Sequence, residues 1–133
     1  MSNDKELVIF TQTYDLLTWL LPQCERFPKS QRFVVTQRLQ GAALDFQEAI
    51  FEANARSGAR RMEHLQAADA YLNKLRLYLR LSRHWGWLSS GQYEHASRMV
   101  ASIGRLLGGW IKQTRTAETG TSGRRRSERA EPS

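Results

Sequence analysis

A single cysteine, Cys24, and three histidines are all that the 133 residues offer to thiol or imidazole chemistry. One thiol can form neither an internal disulfide nor a cysteine-based zinc site. His64, His84 and His95 follow no zinc-ligand spacing. Proline occurs only at positions 22, 28 and 132, so the middle of the chain lacks the punctuation of a turn-rich β protein. No run approaches the ~20 apolar residues that a membrane span needs, which argues against membrane integration. The first six residues are polar and include acids, unlike the basic-then-apolar opening of a secretory signal, so a cytoplasmic protein is expected. Acids are scarce between residues 56 and 115, only Glu63, Asp69 and Glu94, which leaves no paired carboxylates to hold a metal. Gly104, Gly108 and Gly109 precede no Lys-Ser/Thr pair and follow no strand, so they are not a phosphate loop. Neither an enzyme nor a cofactor is expected.

What the chain does have is positive charge, distributed unevenly. Twenty bases against 13 acids give a formal net charge of +7, with 41% hydrophobic and 25% charged residues, the balance of an ordinary folded domain. Sixteen of the bases are arginine, whose guanidinium forks onto phosphate. Residues 1–55 hold five bases and seven acids, residues 56–115 eleven and three, and residues 116–133 four and three. The excess therefore sits in the second half of the folded part. A localised basic surface points to an anionic partner, most often nucleic acid; the bland alternative is a solvated face.

Apolar residues recur with helical spacing. Leu7, Phe10, Tyr14, Leu17, Leu21 and Cys24 make one seam, on which Cys24 is a structural thiol rather than a nucleophile. Pro22 should loosen its last turn. A second helix is expected from Lys29 or Ser30, with Ser30 as cap and Val35, Leu39, Ala42, Phe46, Ile50 and Ala53 as stripe. A third runs from about Arg60 to Arg83 on Leu65, Ala68, Leu72, Leu75 and Leu79, entered through a Ser57-Gly58 turn. The fourth opens with a capping box, Ser89 and Gln92, and follows Tyr93, Ala96, Val100, Ile103, Leu107 and Trp110. Gly104 and Gly108 on it would permit close helix packing. These elements predict an all-α, antiparallel up-down four-helix bundle over residues 1–116. Residues 117–133 lose the apolar period and read as a disordered polar tail.

Two surface features remain. Trp19, Leu77, Tyr78, Leu81, Trp85 and Trp87 lie off the core stripes and are the expected oligomer interface; alternatively the loop tryptophans fold back to plug the bundle's end. Arg76, Arg80 and Arg83 form a row at steps of four and three, Arg98, Arg105 and Lys112 a second at steps of seven, and Arg60 and Arg61 flank the second turn. With Lys74 these are the candidate anion-binding residues, reading charge or shape rather than bases. Glu94 is placed to pair with Arg98.

Several words in the chain resemble a known family. They are Trp19-Leu20-Leu21-Pro22, then Arg26-Phe27-Pro28-Lys29-Ser30-Gln31-Arg32-Phe33. Ala68-Asp69-Ala70 and Leu75-Arg76-Leu77-Tyr78-Leu79-Arg80 follow, then Gln92-Tyr93-Glu94-His95-Ala96 and Ile103-Gly104-Arg105-Leu106-Leu107-Gly108-Gly109-Trp110. Over roughly residues 10–115 the chain resembles the accessory variability determinants (Avd) of diversity-generating retroelements. The resemblance implies a homopentameric, barrel-like ring of four-helix protomers that lacks a catalytic centre. It further implies association with the retroelement's reverse transcriptase and template RNA, in the making of mutagenised cDNA for retrohoming. By position, Arg76, Arg80 and Arg105 match basic places in the family; Lys74, Arg83, Arg98 and Lys112 rest on local charge alone. The tail, with Arg124, Arg125, Arg126 and Arg129, departs from the family pattern.

Two other roles suit the same residues. One is a four-helix bundle of the kind encoded in intervening sequences of ribosomal RNA genes. The other is an oligomeric scaffold that binds protein only, which salt-dependent nucleic-acid binding would separate from the first two.

Overall fold

The structure, a computed structural model, describes the backbone of residues 4–130 and the side chains of residues 8–117. Its elements are α1 (Asp4–Cys24), a 3-10 turn (Lys29–Gln31), α2 (Val35–Ala55), α3 (Gly58–His84) and α4 (Ser90–Ala130), with no strand among the described residues. Each helix packs on its neighbour in sequence and α1 closes against α4, while among the described residues the backbones of the diagonal pairs stay apart. That is the up-down bundle the periodicity predicts. The segment Leu75–Leu81, whose alternation mimics a strand, lies inside α3.

Three of the four core stripes fall where the spacing puts them. Leu39, Ala42, Phe46, Ile50 and Ala53 of α2, Leu65, Ala68, Leu72, Leu75 and Leu79 of α3, and Ala96, Val100, Ile103, Leu107 and Trp110 of α4 are all buried, and Tyr93 at the start of the α4 stripe is half-buried. The stripe of α1 is shifted by one residue. Ile9, Thr13, Leu16, Leu20 and Cys24 are buried, whereas Tyr14 is 67% exposed and Phe10, Leu17 and Leu21 are half-buried. Two overlapping stripes with the same spacing run along this helix, and one step turns the face by about 100°. The threonine within the buried stripe disguises it as the polar one.

The turns explain the remaining departures. After Pro22, α1 tightens into i→i+3 bonds: Glu25 N–H to Pro22 O, Arg26 N–H to Gln23 O and Phe27 N–H to Cys24 O, at 3.1–3.2 Å. Ser30 does not cap α2. Pro28, at φ −56° and ψ 134°, launches the 3-10 turn that contains Ser30, and α2 begins only at Val35 with no side-chain cap. Val35 is half-buried and Thr36 takes the buried place beside it. Gly58 enters α3 at φ +58° and Gly86 leaves it at φ +75°, backbone conformations that favour glycine. The capping box forms as expected: Gln92 N–H donates to Ser89 Oγ at 3.1 Å, and Ser89 N–H donates to Gln92 Oε1 at 2.8 Å.

The helical backbone of α4 is described to Ala130.

Candidate nucleic-acid interface

The flank where α3 meets α4 collects the first basic row. Arg76 donates from Nη1 to Asn73 Oδ1 at 2.8 Å, and its other terminal nitrogen lies over Gly104 of α4. A Cβ at Gly104 would stand 2.5 Å from Arg76 Nη2. Gly104 thus makes room for a guanidinium rather than for a helix backbone, and Gly108 faces open space. One turn on, Arg80 lines a cavity of about 190 Å³ with Arg76, Leu79, Tyr93, Ser97 and Val100. Arg83 donates to Ser90 Oγ at the start of α4. No acid pairs with Arg76, Arg80 or Arg83 among the described residues.

The second row runs along the outward face of α4. Arg98, Arg105 and Lys112 are all exposed. Arg98 pairs with Glu94 at 3.0 Å as the i,i+4 spacing predicts, and it borders a cavity of about 320 Å³ on the α1 side with Gln12, Asp15 and His95. Exposed pairs of this kind contribute little to stability, so Glu94 partly neutralises that end of the row. Arg105 and Lys112 have no acidic partner among the described residues.

Three candidates stand apart. Lys74 points over the ring of Tyr71 at 5.5 Å, and Tyr71 lines the α2–α3 groove with Asp45, Glu48 and Glu52. Arg60 and Arg61 open α3, about 35 Å from Arg83 along the helix axis. Arg60 is exposed. Arg61 is part of the fold: its Nε–H donates to Ala53 O at 3.0 Å and its guanidinium lies 5.9 Å from the Trp110 ring centroid. It satisfies a carbonyl at the C-terminal end of α2, where cations are favoured.

The expected oligomer residues also divide. Leu77 is 49% and Trp85 50% exposed, whereas Tyr78 and Leu81 are half-buried. Trp19 does not point away from the bundle: it is half-buried and meets His95 edge-on at 4.7 Å. Trp87 folds back onto Phe27 at 5.6 Å, so one loop tryptophan closes the bundle's end and the other stays out. The sequence reading missed Phe33, 79% exposed, and Phe51, 59% exposed, because both lie within stretches assigned to helix or stripe.

No group of three or more His, Cys, Asp or Glu side chains gathers as a metal site among the described residues. No helix among them is long and apolar enough to cross a membrane. Burial pushes the Cys24 thiol up to about 12, so it stays protonated and unreactive at neutral pH.

Fold and surface together define an all-α bundle of four helices with a basic α3–α4 flank and no metal cluster among its described residues. A family model described as bAvd-like matches residues 7–114, and the chain belongs to that family. The chain is also similar to the solved structure of a protein of unknown function from the S23 ribosomal protein family of Bacteroides thetaiotaomicron. The TM-score is 0.75 at 21% identity, covering 81% of this chain and 98% of the other, a likeness of fold. No curated protein matches.

Proposed function

We propose that this protein is a non-catalytic accessory subunit of a diversity-generating retroelement. In this reading the α3–α4 flank engages the reverse transcriptase with its template RNA or cDNA, and the complex carries out mutagenic retrohoming. The row Arg76, Arg80 and Arg83, unpaired with any described acid, carries the reading within a chain of the bAvd-like family. Rows of guanidinium groups neutralise successive phosphates and release counterions, so binding should fall steeply with salt. Self-association through Leu77, with Tyr78 and Leu81 beside it, would set several such flanks around one ring, a homopentamer by analogy with the family. Multivalency would then raise affinity without new contacts.

The test is to express the tagged chain in its native host and identify what co-purifies at moderate salt. A reverse transcriptase with a structured RNA is the expected result, and Arg76→Ala with Arg80→Ala should reduce its recovery while helical content survives. The S23-family likeness favours one alternative, a role among ribosomal components. Recovery of ribosomal material alone would move the assignment there, and recovery of the chain's own subunits alone would leave a scaffold.

A further inference from the structure

The bundle's other distinctive surface is the end where the α1–α2 connection meets the α3–α4 turn. Phe27 packs on Trp87 at 5.6 Å, Trp87 on Trp85 at 5.1 Å, and His84 meets Trp85 edge-on at 6.0 Å. Phe27 is buried and Trp87 half-buried, but Trp85 is left 50% exposed and Phe33 79%. Three of the five bases of residues 1–55 crowd the same connection: Arg26, Lys29 and Arg32, all exposed. Lys29 and Arg32 line a cavity of about 310 Å³ with Phe27 and Pro28. None of the three makes a side-chain hydrogen bond or ion pair among the described residues, and Glu25 is the one acid lining that cavity.

From this juxtaposition we infer that the end of the bundle is a binding platform for single-stranded nucleic acid, with a base stacked on Trp85 and phosphates held by Arg26, Lys29 and Arg32. Exposed aromatics interleaved with unpaired cations suit a flexible strand, whose bases present a π-face and whose backbone presents regular charge. A duplex buries its base faces and would gain only the cations. A protein interface draws on aromatics and arginine at its core but is depleted of lysine there; here Lys29 stands with two arginines beside the aromatics and a single acid lines the cavity, a charge excess that suits a polyanion. The inference rests on the proposal that nucleic acid is a partner, but it uses none of the α3–α4 row, so the two can fail separately.

The full-length chain is titrated with a 20-mer oligothymidylate and with a 20-base-pair duplex, following tryptophan emission and the anisotropy of the labelled strand. The single strand should quench emission and the duplex should not. Trp85→Ala should lose most of the quench and weaken strand binding roughly ten-fold or more, as expected for one stacked base. Trp85→Phe should recover most of the affinity, which a merely local folding defect would not do. Arg26→Ala, Lys29→Ala and Arg32→Ala together should flatten the salt dependence, by about 0.7 in log–log slope per phosphate released. Arg76→Ala with Arg80→Ala should leave the quench intact. If that double variant binds template RNA normally while Trp85 is still quenched, the flank reading fails and the platform stands. The platform is overturned if wild type does not bind the 20-mer, or if Trp85→Ala binds it unchanged. An unchanged affinity accompanied by loss of self-association in sedimentation would make the same end a contact between copies.

Discussion

The two flanks of α3 share one buried stripe and differ in almost everything else. Toward α2, a cavity of about 350 Å³ is lined by Asp45, Glu48 and Glu52 with Phe51, His64 and Tyr71. Toward α4, the corresponding groove is lined by Arg76 and Arg80 with Tyr93 and Ser97. Leu65, Leu72 and Leu75 lie between them, each 0% exposed, and are indifferent to the charges on either side. The contrast separates two jobs that one helix performs. Its apolar stripe supplies the free energy of packing, while its edges, still in water, are open to carry whatever charge a partner requires. Acids of α2 beside one flank of α3 and arginines of α3 on the other give the bundle an electrostatic direction, one that would orient an approaching polyanion toward α4.

The contrast can be broken most forcefully at its middle. Leu72→Ala should cost about 2–5 kcal/mol of unfolding free energy in a denaturant titration, the range for buried leucines, and Arg80→Ala should fall within about 0.5 kcal/mol of wild type. Comparable losses from the two would mean that the basic edge also holds the fold. Next in size is a reversal of the basic edge. Arg76→Glu with Arg80→Glu should weaken RNA binding at low salt by at least about ten-fold, or ~1.4 kcal/mol. Neutralising the acidic edge with Asp45→Asn and Glu48→Gln should leave binding equal or slightly tighter. If the acidic variant is the one that loses RNA, the assignment of the flanks is inverted.

A smaller effect probes how the basic groove is anchored at its upper end. Ser89→Ala removes the hydroxyl of the capping box and should cost about 1 kcal/mol, read as a fall in melting temperature with nucleic-acid affinity unchanged. The finest probe is Gly104→Ala. It should gain up to about 1 kcal/mol from helix propensity, since the displaced atom is the flexible tip of Arg76. It should also move that guanidinium off α4 and alter RNA affinity several-fold in a gel-shift titration. A loss of stability instead would show that Arg76 is packed rigidly against the helix.

The basic row on α3 and the seam of α4 were legible because both are written in steps of three, four and seven along one helix. The capping box was legible for the same reason, its two partners lying three residues apart. The contacts of Trp19 and Arg61 were not legible because their partners are remote: His95 closes on Trp19 from α4, and Ala53 O and the Trp110 ring come to Arg61 from α2 and α4. Lys74 sits two residues before Arg76, and two residues turn a helix by about 200°; Lys74 lies over Tyr71 on the acidic side. The cations at 26–32 were hidden by regional bookkeeping, since the acids of α1 and α2 cancel them in a sum over residues 1–55.

Helix type, helix number and the buried faces of α2, α3 and α4 follow from local spacing, because an α-helix converts sequence interval into angle with no help from the rest of the chain. The family's short words follow equally from the linear order. Which of two equal stripes α1 buries, where α2 begins after Pro28, and which loop tryptophan is covered were decided only when four helices met. Those choices depend on energies of contact between residues far apart in sequence, and no interval along the chain encodes them. The same holds for the surface: the sequence supplied the arginines, and the packing of α3 on α4 chose the two, Arg76 and Arg80, that share a groove.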